Sequence, residues 1–451
     1  MAAICLLGKP VARAENLGDA WRMALSVNPQ LRGQRLNTSA ANLNVIAAER
    51  GFLPKGTATG VDVQLLSPTP RFSVGPTGSS SQGAAAGLGG AFSFFGAGQN
   101  NLPFAVTSLN QPIYAGGRIR GQVHAADAQV AQQKAGQFRT LLDLKLAVAE
   151  AYVGVLQTKR NLEVAKSEVA RLRSFLNDVQ SRKRVGMATR NEELSAEVSL
   201  ANARLREIQT RNAQSIAWAT YNRYLMRPLD LPVTLEELGP PPTAARNDDA
   251  ADLHRQTTSL PEMQDELAQL TEQAVRTRPE LAELSGRARA LRAQAEITRS
   301  NSRPNVNVGL NYIYLGFNSL SNRDIFAATA TGSWNFYDGG VARRQAQAQD
   351  QQSRAAMQQR ADQAAAIALE VRTRWLNLSE ARERVDVARV AVNQSEENVN
   401  VVSDRYRQQL STYTEVLDAE TQRVQAYANF YNAVYDSALA WFRLHRAVGD
   451  L

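Results

Sequence analysis

The sequence predicts a mainly α protein with a small membrane β part. Internally duplicated long helical hairpins form an α-barrel, and four strands per chain close as a twelve-stranded β-barrel in a trimer. Three observations carry this expectation. First, a shift of 223 residues pairs Tyr114 with Tyr337, Gly116 and Gly117 with Gly339 and Gly340, Leu146 with Leu369, Thr189 with Thr412, Glu192 with Glu415 and Trp218 with Trp441. One register held for roughly a hundred residues is an internal repeat, and repeats set architecture before any local reading. Second, apolar residues recur every seven positions at Leu141, Val148, Val155, Leu162, Val169 and Leu176, with Leu144, Ala151, Ala165, Leu172 and Val179 as a companion set broken only by Thr158. That is the stripe of a left-handed coiled coil. Third, Val306, Val308, Leu310, Tyr312 and Tyr314 alternate with polar residues or glycine, the two-residue period of a strand with one apolar face.

In chain order, residues 1–14 read as an export signal. Ala2 to Gly8 is a short apolar core and Ala12-Arg13-Ala14 a small-residue cleavage site, without the usual positive leading region. The first repeat occupies residues 15–227: a helix from Leu17 to Glu49 interrupted at Asn28-Pro29, strands at 56–66 and 102–113, and a helical hairpin at 118–227. Ser67 to Asn101, rich in glycine, serine and alanine, suits a long exposed loop between those strands. Residues 228–266 form a linker whose Pro228, Pro232 and Pro240-Pro241-Pro242 keep its first part irregular, with Asn247 to Ala251 polar. The second repeat, 267–451, has a helix from Leu270 to Thr298, strands at 305–315 and 325–336, and a hairpin at 341–447. In it Phe326, Ala328, Ala330, Gly332, Trp334 and Phe336 share one strand face. From Arg118 to Val185 there is no proline, so the first long helix would extend roughly 100 Å.

Four strands are too few to close a barrel, and a bilayer does not tolerate open sheet edges. Spanning therefore requires oligomerisation, and three copies supply twelve strands and twelve long helices. No apolar run approaches the ~18 residues of a transmembrane helix.

Composition narrows the function. The 451 residues are 44% hydrophobic and 21% charged, the balance of a folded chain. The net charge of +8 is spread as Arg/Glu mixtures without a basic stripe carrying interleaved aromatics, which argues against nucleic-acid binding. Cys5, the only cysteine, lies inside the export signal, so thiol chemistry and a cysteine metal site are excluded from the mature chain. His124, His254 and His445 are far apart and lack partners at ligand spacing, and the Gly87-Leu88-Gly89-Gly90 run has neither the strand nor the helix of a phosphate loop. No nucleophile–base pair has a supporting context. The expectation is no enzyme, no cofactor and no metal.

Four motifs recur in duplicated order: Asn110-Gln111-Pro112-Ile113-Tyr114-Ala115-Gly116-Gly117 and Phe336-Tyr337-Asp338-Gly339-Gly340 at strand-to-helix turns, Arg184-Val185-Gly186-Met187-Ala188-Thr189 at the first helix tip, and Tyr406 through Thr412 to Glu420 at the second. In these residues the chain resembles the TolC-type outer membrane efflux proteins over nearly its whole mature length. The resemblance implies a homotrimer in the outer membrane lipid of a Gram-negative cell, with a helical tunnel across the periplasm. This would be the exit duct of a tripartite efflux or type I secretion system. A periplasmic adaptor and an inner-membrane pump of RND or ABC type would be its partners. It further implies that Val185, Gly186, Met187, Thr189, Leu410, Ser411 and Thr412 dock the adaptor.

At the periplasmic gate the resemblance implies Glu415, Asp418, Tyr406 and Glu192. Glu415 and Asp418, three apart on one helix face, would ring the pore, attract cations and raise each other's pKa through like-charge proximity. The family's gate arginine position holds Ser411, leaving Arg405, Arg407 or Arg190 as substitutes, and Gln409 stands where glycine is usual. An envelope coiled-coil protein without a pore is the alternative reading; the aromatic-ended strands and the Gly-Gly turns argue against it.

Overall fold

The computed structural model describes residues 14–64, 101–238, 260–316 and 322–451. The apolar core of the export signal, most of the stretch 67–101 with its Gly87–Gly90 run, and linker residues 239–259 with His254 lie outside the described residues. The elements in order are α1 (Leu17–Val27), α2 (Pro29–Glu49), a 3-10 turn (Arg50–Phe52), β1 (Lys55–Gln64), β2 (Asn101–Tyr114), α3 (Arg118–Arg184), α4 (Arg190–Tyr224), α5 (Leu260–Thr277), α6 (Pro279–Ser300), β3 (Asn305–Leu315), β4 (Asp324–Ser333), α7 (Val341–Arg407) and α8 (Tyr413–Val448). Contacts divide them into two units. One comprises residues up to 38, 132–284 and 358–451; the other comprises 39–131 and 285–357.

In the first unit the seven-residue stripe is the buried seam. Val148, Val155, Leu162 and Val169 of α3 are buried, as are Leu144, Ala151, Ala165, Leu172 and Val179; Val371, Leu378, Val392 and Val399 do the same for α7. Thr158, the polar interruption, donates its hydroxyl to the Gly154 carbonyl at 2.8 Å, so its place near the seam leaves no unpaired donor. The largest cluster gathers Tyr152 and Tyr221, edge-on at 6.1 Å, with Ala20, Ala24, Leu31 and Phe442. The chain start is tied in beside it. Glu15 donates its N–H to the Thr234 carbonyl at 3.1 Å, receives Glu236 N–H at 3.0 Å, and pairs with Arg227 through two bonds of 2.9 Å. The stretch after Pro228 is thus held in place although it forms no helix.

Several boundaries differ from expectation, and the helix expected from Leu270 to Thr298 is two, α5 and α6, divided at Arg278. The first helix is two helices, because the Asn28 side chain caps a new start by accepting from Gln30 N–H (2.9 Å) and Leu31 N–H (3.2 Å) with Pro29 as the first residue of α2. Helix α5 begins at Leu260, inside the stretch assigned to the linker. Strand β4 ends at Ser333 rather than 336: Ser333 pairs with Asn305, and the next partner would be Pro304, which has no N–H to give. Trp334 and Phe336 therefore lie outside the strand.

The second unit holds one antiparallel sheet in the order β1-β2-β3-β4. The central β2–β3 pair joins the two copies, and β2 bulges between Pro112 and Tyr114, again at a residue without N–H. Tyr312 pairs with Phe326, Leu310 with Ala328 and Val308 with Ala330, so the apolar face of the second copy is continuous. The first copy departs from it. Val61 pairs with Phe104 and Phe104 with Leu315, on the face that carries Asn307 and Asn311. Alternation within a single strand cannot tell which face its neighbours share; only the register does. Among the described residues no helix is long and apolar enough to cross a membrane.

Candidate functional site

The two helix tips are built by the same backbone device twice. Helix α3 ends with Met187 N–H donating to the Arg182 carbonyl (2.8 Å) and Gly186 N–H to that of Lys183 (3.0 Å). Helix α7 ends with Leu410 N–H on the Arg405 carbonyl (2.8 Å) and Gln409 N–H on that of Tyr406 (3.1 Å). Both are six-residue helix terminators that require one left-handed residue. Gly186 supplies it at φ 74°, Gln409 at φ 63°. A Cβ on Gly186 would meet nothing within 4 Å, so the requirement is conformational and not steric. Gln409 carries the strain its counterpart avoids. Gln409→Gly is accordingly expected to stabilise the tip by about 1 kcal/mol, measured as slower amide exchange at Leu410 and Ser411 relative to the unaltered first tip.

The returning helices start alike. Thr189 accepts from Glu192 N–H while Glu192 accepts from Thr189 N–H; Thr412 and Glu415 make the identical reciprocal pair. The resemblance puts Glu192 and Glu415 at a gate, and Thr189 and Thr412 at a docking tip. The structure joins them as two capping boxes. Glu415 also receives Ser411 Oγ at 2.7 Å and Thr412 Oγ1 at 3.1 Å. The Ser411 hydroxyl first, then Thr412, hold its carboxyl below the usual carboxylate range, opposite in direction to the effect of a neighbouring carboxylate. Asp418 is exposed and has no hydrogen-bond or ion-pair partner among the described residues. Val185, Met187 and Leu410 are exposed at both turns, between 64% and 67%, leaving apolar side chains where a partner helix could bury them.

Behind the turns the copies diverge. Tyr406, Tyr413 and Val416 are buried together against Phe175, with ring centroids 5.7 Å (Phe175–Tyr406) and 5.2 Å (Phe175–Tyr413) apart. The positions equivalent by the 223-residue shift are Lys183, Arg190 and Glu193, and there the carboxylate of Glu193 binds both cations. One turn is closed by aromatics, the other by charge. Subtracting the copies position by position would have exposed this difference. No hydrogen bond joins Tyr406 to Glu192. The cation at Tyr406 is Arg182, its guanidinium 4.7 Å from the ring centroid. Burial raises the Tyr406 pKa, with Glu192 adding to it. Of the arginines considered for that place, Arg407 pairs with Asp404, Arg190 with Glu193, and Arg405 reaches the Leu410 carbonyl at 3.4 Å.

The strand-to-helix turns use left-handed glycines throughout: Gly116 (62°), Gly117 (94°), Gly339 (67°) and Gly340 (81°). Gly116 is needed for space as well, since a Cβ there would lie 2.9 Å from Arg303 Cβ. In the second turn Asp338 accepts from Gly340 N–H at 2.8 Å and Ala342 N–H at 2.9 Å, and these backbone donors, Ala342 first, keep its carboxyl low. The first turn has Ala115 at the equivalent position and closes with Arg118 N–H on the Ala115 carbonyl, with Arg303 donating to the Gly116 carbonyl at 3.0 Å. Tyr114 and Tyr337, flanking these turns, are exposed by 50% and 79%. Among the described residues no group of acidic, histidine or cysteine side chains could hold a metal ion.

The family model described as outer membrane efflux protein matches residues 20–225 and 270–450, both repeats and none of the linker between them. Solved structures with the same fold include the outer membrane protein VceC from Vibrio cholerae, with a TM-score of 0.75 at 16% identity over 96% of each chain. The CmeC outer membrane channel of Campylobacter jejuni superposes with a TM-score of 0.74 at 13% identity, over 97% of this chain and 86% of that one. The open state of the Neisseria gonorrhoeae MtrE outer membrane channel gives 0.72 at 16% identity, over 96% and 88%. No curated protein matches the sequence.

Proposed function

The chain belongs to the outer membrane efflux protein family, and on that premise we propose that three copies close one duct through which an inner-membrane pump discharges its substrate. It is an outer membrane channel protein that extends into the periplasm, and not an enzyme. The observation that carries the trimer is the sheet. Its four strands end in two edges, β1 and β4, that have no partner strand among the described residues. Unpaired backbone N–H and C=O groups are costly in hydrocarbon, so the edges pair with those of further copies until a barrel closes. Twelve strands leave an interior wider than side chains fill.

In this reading residues 1–14 direct export, 15–227 and 267–451 each supply one repeat, and 228–266 join them. The exposed Val185, Met187 and Leu410 meet a periplasmic adaptor, and energy comes from the pump, because this chain supplies none. Glu415 and Asp418 ring the inner end of the duct. The Ser411 hydroxyl, with the capping box, favours the ionised form of Glu415 and fixes its rotamer, which suits a permanent cation-attracting ring better than a titrating one. Native mass spectrometry of the detergent-extracted protein tests the assembly: a particle three times the mass of the mature chain is expected, and a monomer that stays in solution without detergent would favour the pore-free coiled-coil alternative.

A further inference from the structure

We propose that a basic cleft below the strands binds the phosphate diester of an anionic phospholipid in the inner leaflet of the outer membrane. The cleft, about 900 Å³, is lined by Arg299, Arg303, Arg343 and Arg354, with Asp350 as its only acidic side chain. Arg299 is committed to Asp350 and Arg303 spends one nitrogen on the Gly116 carbonyl. Arg343 and Arg354 are exposed and have no hydrogen-bond or ion-pair partner among the described residues. Two unpartnered and two held guanidinium groups line the cleft, and arginine binds a delocalised oxyanion through paired parallel N–H donors.

The depth of the cleft points to lipid. Trp334, Phe336 and Tyr337, which follow β4, are 61%, 81% and 79% exposed. Exposed aromatics at the end of a membrane strand mark the headgroup level. The Trp334 indole N–H donates to the Ser302 carbonyl at 3.1 Å, and Ser302 is part of the cleft wall. A ring at headgroup level is therefore bonded to the wall that holds the arginines, which puts the cleft at the depth of a lipid phosphate. Basic pockets at this depth favour anionic over zwitterionic headgroups.

The full chain in nanodiscs, with brominated phosphatidylglycerol or brominated phosphatidylcholine as the quencher, tests this through Trp334 fluorescence, isolated by subtracting the Trp334→Phe protein. Wild type is expected to be half-quenched at a several-fold lower mole fraction of phosphatidylglycerol than of phosphatidylcholine. Arg343→Gln/Arg354→Gln is expected to equalise the two, and Arg343→Lys/Arg354→Lys to retain part of the preference, which shows that the site still folds. Equal quenching in wild type overturns the proposal. So does an unchanged preference in the glutamine variant. Equal quenching combined with arginine-dependent binding of inorganic phosphate in detergent would replace the lipid by a free anion, and that too overturns it.

Discussion

Replacing Arg278 by leucine is expected to cost about 3–5 kcal/mol, more than any surface substitution in the chain. The side chain is 6% exposed and is the hub of a network. It donates to the carbonyls of Arg446 (3.3 Å) and Ala447 (3.1 Å) and to the carboxylates of Glu280 (3.0 Å) and Glu370 (3.0 Å). Arg446 adds bonds to Asp143 (2.7 Å) and Glu280 (3.0 Å). Leucine fills part of the volume but leaves two carbonyls and a half-buried carboxylate without donors. The exposed pair Arg276–Glu272 sits nearby on α5, and its loss is expected to change stability by less than about 1 kcal/mol.

Denaturant unfolding of the two variants measures the contrast; equal losses would mean the network contributes no more than a surface pair. The network also sets an acid limit. Burial pushes the Glu280 carboxyl up, but backbone N–H and Arg446 donors outweigh it and the pKa is lowered from 4.5. A group depressed in the folded state stabilises above its unfolded pKa and loses that contribution as pH falls through the folded value. Stability is thus expected to drop below about pH 4.5, and less so in Glu280→Gln.

Tyr152→Ala is expected to cost about 3–5 kcal/mol, and Tyr152→Phe about 1–3 kcal/mol. The ring is 1% exposed in the largest cluster. Its hydroxyl lies 2.9 Å from the Glu15 carbonyl and 2.6 Å from the Glu236 carbonyl. One proton serves both acceptors, and it connects the chain start to the segment after the first repeat. Phenylalanine keeps the packing and removes only that connection. Amide exchange at Glu15 and Glu236 should therefore quicken in Tyr152→Phe while α3 keeps its protection. Loss of protection throughout α3 would show that the hydroxyl supports the whole unit instead.

What was legible in the sequence was periodic or duplicated. The stripe from Leu141 to Val179 announced a buried seam because a helix repeats its faces at fixed spacing. The 223-residue shift placed both tips and both Gly-Gly turns. Boundaries set by one residue's missing N–H, such as the end of β4 opposite Pro304, were harder to see because the partner lies on another strand. The network around Arg278 joins residues 143, 278, 280, 370 and 446 and has no local signature at all. The tips show the middle case. Glu192 and Glu415 were singled out, but their reciprocal bonds to Thr189 and Thr412 were not, although the T-x-x-E spacing is readable. The pairing of Lys183 and Arg190 with Glu193 lies where the two copies differ, so the duplication that marks the rest of the tip does not announce it.

Copies of this chain are expected to form a cation-attracting duct. Single-channel conductance in planar bilayers addresses it most directly, using wild type and Glu415→Gln/Asp418→Asn. Glutamine preserves the capping box, so the variant removes charge without unwinding α8. Wild type is expected to pass small, cation-selective currents, and the variant to conduct with that selectivity lost. Currents equally cation-selective in both would contradict the acidic ring, and a protein that never enters the bilayer would contradict the duct itself.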